Sequence, residues 1–469
     1  MVRYFRSLLL SRLLSLVLLF LAIRIPLVFW GVPLTLPELK EMVLGERMAG
    51  GYLLYRDIFD NEAPLAASIY WLIDLLFGRS LLVYRVLPIF LIFIQAIRLN
   101  SVFNRHNVHP DRTYLPALLY LVASSIFFEL DTLTPLLLGM TFVIFSLNYL
   151  ISFSKEGENN RQLFKAGFIL GLGALCYLPL VLFLIIALFA IILFASSSFR
   201  SSLLLFCGFI FPYSVVLTYY LYTGSITNFL DFHLLPDWNF QVDFLLAPKD
   251  TLKILAIPLA FLALTVLHAI THAPGLNYQA KILQLMLVWL LVAVVIAIIG
   301  KKISTQALLL FLPTLAYFGT AFFLQIRKAV VRETFFLVFF SGVILLRFLT
   351  FLGWIPPLEI KLNDLLVNPD PKYAIIQDKN LLVLNRDLNY YQYNRLTSPY
   401  LNWDIAKADF NKLDTYQAVF KIYQNIATHY PDYIVADPKL MQELRYKIPN
   451  AFGAYQPLAN NPQVFQRIR

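Results

Sequence analysis

Acidic side chains crowd one short stretch of this chain. Between residues 31 and 64 stand Glu38, Glu41, Glu46, Asp57, Asp60 and Glu62, flanked on both sides by apolar runs. Carboxylates at the level of lipid headgroups can draw a proton from a hydroxyl as a general base, or hold a divalent cation through oxygen ligands. The plainer reading is that any polar loop collects acids for solubility. A second acidic pair, Glu129 and Asp131, occupies a short turn between two further apolar runs, where polarity also serves to keep the turn out of lipid. Lys301 and Lys302 follow another apolar run. They either mark a site that needs positive charge or snorkel from a helix end. The chain has no Gly-rich phosphate loop, nucleophile elbow or HExxH helix. His268 and His272 are four residues apart with no third ligand nearby, so no metal site is assigned to them.

The elements that must position these groups are membrane spans. Of 469 residues, 59% are hydrophobic and 14% charged, against about 45–50% and about 25% in a soluble domain. A soluble globular protein is excluded. Apolar runs long enough to cross a hydrocarbon core are expected at Leu8–Trp30 and at 80–99, 114–128, 133–153, 166–181, 182–197, 202–222, 251–270, 282–300, 307–326 and 334–353, about eleven crossings. Pro64–Phe77 is also apolar, but at 1.5 Å per residue it reaches only about 21 Å and is expected to lie in the interface. Arg105, Arg112, Lys155, Arg161, Lys165, Arg200, Lys281, Arg327, Lys328 and Arg332 fall on one side under this count, which makes that side cytoplasmic. Lys301 and Lys302 are the exception, at an outward-facing helix end. The net charge of +10 is thus assigned to loops facing anionic lipid and not to a nucleic-acid partner. Arg24 lies near the outer end of the first span, where an unpaired charge is unfavourable, and a loop carboxylate is an available partner. Cys176 and Cys207 both sit inside apolar runs, so no disulfide framework is expected.

The composition changes near Leu358: charges recur every few residues and long apolar runs stop. Residues 1–357 therefore read as a multi-pass membrane domain with an outer loop over 31–79. Residues 358–469 read as a small extracytoplasmic α/β domain, with strands expected at Asn380–Asn385, Asp432–Asp437 and Gln463–Gln466 and a helix at Lys412–His429.

Several of these segments resemble the GT-C superfamily of integral-membrane glycosyltransferases, in particular the branch that uses polyprenyl-phosphate-linked mannose or aminoarabinose. The residues that carry the resemblance are Pro37-Glu38 after the first span, Gly51, Tyr55-Arg56-Asp57, Pro64-Leu65 opening the interfacial helix, Leu76-Phe77-Gly78 closing it, and the acidic turn with Glu129 and Asp131. Lys301-Lys302 and Leu312-Pro313-Thr314-Leu315-Ala316 are similar to late segments of such enzymes. The chain departs from the pattern with a lone Glu38 where relatives carry Asp or Asp-Glu, and with Ala63 where many carry a basic residue.

The resemblance implies an all-α polytopic enzyme of the cell envelope, with its N-terminus cytoplasmic and its C-terminal domain periplasmic or extracellular. Its substrate would be a polyprenyl-phosphate-linked sugar drawn from membrane lipid, and its acceptor a lipid, glycan or protein. Glu38 would be the base that takes the acceptor proton, with inversion at the anomeric carbon. Asp131 would orient the acceptor; Lys301, Lys302 and Arg56 would bear the charge of the departing phosphate; Asp57, Asp60 and Glu129 would complete the donor site. No cofactor is required, and a divalent cation is an option for the carboxylates. Two other classes compete. A transporter needs ionisable residues along a path at mid-membrane, which the apolar runs nearly lack, whereas a non-catalytic scaffold on the same architecture needs none of the carboxylates.

Overall fold

In the computed structural model, the described residues are 1–152, 160–194, 199–235, 243–244, 246–272, 276–300, 302–352, 362, 365–459 and 461–468. They form two compact units. The first comprises residues 1–32, 82–215 and 239–364; the second comprises 33–81, 216–238 and 365–469.

The protein is a multi-pass membrane protein. Eight helices among the described residues are long and apolar enough to cross a bilayer: Leu10–Trp30, Leu81–Arg105, Pro135–Ser152, Phe199–Tyr222, Pro248–Thr271, Asn277–Ile299, Thr305–Gln325 and Ala329–Phe348. The expected crossings at 114–128, 166–181 and 182–197 correspond to the shorter helices Leu115–Ala123, Asn160–Cys176 and Phe183–Phe194. Within the first unit, Thr305–Gln325 is the hub. Its residues are buried nearly all round, and it packs on Pro248–Thr271, Leu115–Ala123 and Asn277–Ile299. Its apolar surface carries no polar stripe because it has no water-facing side to satisfy. The Leu10–Trp30 helix instead exposes Leu10, Leu14, Leu18 and Phe29, the surface expected against lipid. It ends at Gly31, whose φ of 79° is the left-handed cap conformation that costs other residues energy. Two short strands, β1 (Asp243–Phe244) and β2 (Lys302–Ile303), pair in parallel.

The second unit holds a five-stranded sheet. Its strands are β3 (Asn380–Val383), β4 (Arg395–Leu396), β5 (Tyr433–Val435), β6 (Tyr455–Leu458) and β7 (Asn461–Arg467), in the order β4-β3-β5-β7-β6. β3 runs parallel to β4 and β5, and β7 runs antiparallel to β5 and β6. The helix Tyr416–Ala427 lays Ala418, Ile422 and Ile426 on the sheet, the spacing of one helical face. Leu382, Ile434, Phe465, Phe410 and Phe452 fill the core between them.

The acidic segment after the first span is built into this same unit. Leu36 donates its backbone N–H to Leu365, and Val367 returns one to Leu34. Phe59 pairs in a bridge with Tyr400 and joins the core of the sheet domain. The segment that follows the first span is therefore held by residues more than 300 positions away.

Candidate functional site

Local sequence sets the frame of the acidic loop. Thr35 caps the helix Leu36–Ala49 in a reciprocal capping box: its hydroxyl accepts from the Glu38 N–H at 3.4 Å, while Glu38 Oε2 accepts from the Thr35 N–H at 3.1 Å and from its hydroxyl at 2.8 Å. Pro37 fits the first turn, where a missing N–H costs nothing. A second helix, Pro64–Phe77, packs against the first so closely that Gly45 lies under the Tyr70 carbonyl, with no room for a β-carbon.

Between the two helices, carboxylates are buried and not solvated. Glu38 and Asp60 are 1% and 0% exposed, and Glu41 is also buried. Burial, followed by the charges of Glu62 and Glu38, holds the Glu41 carboxyl well above the usual carboxylate range, although Lys40 and a hydrogen bond with Tyr70 oppose the shift. Lys40 pairs with Asp60 at 2.7 Å. Burial disfavours its charge, but Asp60 and Glu62 more than offset this, and the ammonium is stabilised. Asp60 Oδ1 also accepts from the Asn61 N–H at 2.8 Å and from Asn402 Nδ2 at 3.1 Å.

The Tyr55-Arg56-Asp57 motif forms a tight turn. Tyr55 has φ of 67°, a strained conformation for a non-glycine residue. It is pinned from several sides: its ring packs on Tyr220, Phe229 and His233, its carbonyl accepts from Asn228 Nδ2 at 2.7 Å, and its hydroxyl bonds the Glu62 carbonyl. Burial pushes His233 down to about 4, so it contributes a neutral ring. Asp57 accepts from the Leu53 N–H at 2.9 Å and pairs with Arg56 at 2.9 Å. Burial raises its carboxyl, yet these hydrogen bonds outweigh it and hold the group below its usual range. Arg56 thus directs its guanidinium at its own neighbour.

In the first unit, the turn Phe128–Asp131 is a buried 3-10 helix, and its two carboxylates have different surroundings. Asp131 is clamped by two buried arginines, with Arg24 Nη1 at 2.6 Å from Oδ1 and Arg347 Nη2 at 2.5 Å from Oδ2. Arg24 finds the loop carboxylate that its depth in the membrane requires. Glu129 Oε2 instead accepts from the Thr305 N–H at 3.2 Å and from the Thr305 hydroxyl. Of the paired lysines, Lys301 lies outside the described residues, and Lys302 contributes the backbone of β2.

The structure therefore brings together Glu41 with Glu38 and with Glu62 through mutual charge, Asp60 with Lys40, Arg56 with Asp57, and Glu129 with Thr305. Sequence reasoning missed Arg347, a cation deep in the last span, and Asn402, a helix cap in the sheet domain. The charge of Arg347 at membrane depth was the available signal; nothing in the local sequence marks Asn402. Among the described residues, no three His, Cys, Asp or Glu side chains are grouped to hold a metal ion.

Neither a family model nor a curated protein matches the sequence. The fold does have a counterpart. The crystal structure of the apo oligosaccharyltransferase from Archaeoglobus fulgidus superposes on 98% of this chain and 74% of its own, with a TM-score of 0.51 at 10% sequence identity. A second structure of that enzyme, tethered by a disulfide bond to an acceptor peptide containing the NVT sequon, covers the same shares with a TM-score of 0.48 and 10% identity. The chain thus shares the fold of that oligosaccharyltransferase, and its described residues have the helical, many-span architecture with a small α/β domain that the sequence led us to expect.

Proposed function

We propose that this protein is an integral-membrane glycosyltransferase that moves a sugar from a polyprenyl-phosphate donor to a lipid, glycan or protein acceptor at the outer face of the plasma membrane. The observation that carries the reading is the retention of a transferase fold over nearly the whole chain at negligible sequence identity. The buried carboxylates of the first outer loop support it, because burial tunes carboxyl groups for proton transfer. In this reading the N-terminus is cytoplasmic and the sheet domain extracytoplasmic.

Glu38 takes the proton from the acceptor hydroxyl as its oxygen bonds to the anomeric carbon. The bond from that carbon to the phosphate oxygen breaks, and polyprenyl phosphate leaves with the electron pair, so the anomeric configuration inverts. Lys301 and Lys302 bear the negative charge that develops on the departing phosphate. With both oxygens engaged by arginines, Asp131 serves as a positioning group. Arg56, Asp57, Asp60 and Glu129 shape the loops that carry the reacting groups.

A second reading, a non-catalytic scaffold, draws support from the structural work that Glu38 and Asp131 already do, one in a helix cap and the other in an ion triad. The two are separated by incubating the purified chain and its Glu38→Gln variant with radiolabelled polyprenyl-phosphate sugars and membrane extract. Glutamine keeps the acceptor oxygen for the Thr35 cap, so the variant should fold. Release of polyprenyl phosphate by the parent and its loss in the variant is the expected result. Equal release by both removes Glu38 as the base, and no release across a broad panel favours the scaffold.

A further inference from the structure

The two arginines do more than neutralise Asp131. Arg24 Nη2 donates to the Ser124 carbonyl at 2.6 Å, its Nε to Ser125 Oγ at 3.3 Å and its Nη1 to the Leu130 carbonyl at 3.4 Å. Arg347 Nη1 donates to the Ser125 carbonyl at 3.0 Å and its Nε to the Ile23 carbonyl at 3.1 Å. Both guanidiniums, 0% and 1% exposed, thus close on the segment from Ser124 to Asp131. That segment follows the C-terminal end of the Leu115–Ala123 helix, where the backbone dipole favours cations. On its other side the turn reaches the segment after β2. Glu129 holds Thr305 by two hydrogen bonds, and Thr132 Oγ1 accepts from Gln306 Nε2 at 3.2 Å. Charge-assisted bonds at Asp131 and at Glu129, joined by the backbone of the Phe128–Asp131 turn, therefore connect the first and last spans to the segment that follows β2.

We propose that Arg24 and Arg347 are positioning residues for donor binding: by clamping the Phe128–Asp131 turn they fix Glu129, and through Glu129 and Thr305 they set the place of the Lys302–Ala307 segment against the donor phosphate. The donor role of that segment rests on the transferase reading; the mechanical coupling does not. A guanidinium is required because one group must serve a carboxylate and two carbonyls in a fixed fork, which an ammonium cannot reproduce.

The test uses the full chain with Ser304→Cys, a buried position next to Thr305, and measures its maleimide labelling in detergent alongside the KM for donor. Arg347→Met leaves Asp131 paired one-to-one with Arg24, so no buried carboxylate is stranded. It should speed labelling at 304 at least tenfold and raise the donor KM at least tenfold, with kcat changed less than threefold. Arg347→Lys, which keeps the charge but not the fork, should rescue neither readout. Thr305→Val removes the hydroxyl bond to Glu129 and leaves only the backbone N–H bond, so it weakens the same chain at its far end without removing a charge and should move both readouts in the same direction by at least threefold; it carries the test if Arg347→Met does not fold. Unchanged labelling and KM in these variants, or full rescue by lysine, overturns the proposal. If the parent turns over no donor while labelling still responds, the coupling stands and the transferase reading is the part that falls.

Discussion

Asp131→Asn should be the most damaging single conservative change in the membrane unit, and the triad supplies the magnitude. Its carboxylate faces two guanidiniums at 2.6 and 2.5 Å. With charge centres about 4 Å apart and an effective dielectric constant near 20, each attraction is worth about 4 kcal/mol. Asparagine removes both attractions and leaves two buried like charges repelling each other. Part of the loss is recovered by relaxation, and breaking a buried pair in this way costs about 3–5 kcal/mol in practice. Arg347→Met is gentler. It forfeits one attraction and the hydrogen bonds to Ser125 and Ile23, but it also removes the repulsion and the burial of one cation, for a net loss of about 1–2 kcal/mol. Replacing the whole triad with apolar side chains, by Arg24→Met, Asp131→Leu and Arg347→Met together, should return stability to within about 1 kcal/mol of the parent. The assay is equilibrium unfolding in mixed micelles of rising SDS fraction. An Asp131→Asn protein as stable as the parent, or more stable than Arg347→Met, would refute the electrostatic account of the clamp.

Two further perturbations probe the acidic loop. Glu41 has its folded carboxyl raised by burial and neighbouring acids, so the folded state binds the proton more tightly than the unfolded state. Its contribution is therefore favourable below the ordinary carboxyl range and is lost as pH rises through the folded value, at about 1.4 kcal/mol for each unit of difference; Glu41→Gln should flatten the fall in thermal stability as pH rises above the ordinary carboxyl range, and an unchanged slope would assign that fall to other groups. Gly45→Ala places a β-carbon 2.6 Å from the Tyr70 carbonyl oxygen, and the two helices must part at a cost of about 1–3 kcal/mol. A melting curve that does not move would mean that the helices are already farther apart than this contact implies.

Much of the architecture was legible because lipid imposes a local rule: a segment that crosses must be apolar over enough length to hide its backbone. That rule located the eight long spans and distinguished Pro64–Phe77 as too short. Pro37 and Glu38 mark the start of the Leu36–Ala49 helix just as locally, whereas the Thr35 cap itself was not read from the sequence although its bonds lie within one helical turn. Strands β3 and β5 and the Tyr416–Ala427 helix followed from their periodicity. β4 and β6 did not, because a two-residue strand has no period and Tyr455–Leu458 carries proline and glutamine where an apolar face would be sought.

The sequence by itself determined that this is a membrane protein of many helices, with acids gathered after the first span and a small α/β segment in its C-terminal part. Hydropathy and helix capping act between near neighbours, and near neighbours are what a sequence displays. Only the tertiary structure decided what each acid does. Asp131 is committed to Arg24 and Arg347, Glu129 to Thr305, and Asp60 to Lys40 and Asn402. Most of these partners lie more than 100 residues away, chosen by which helices pack together. A buried charge must find its counter-charge wherever the fold brings one within reach, and no local pattern records that choice.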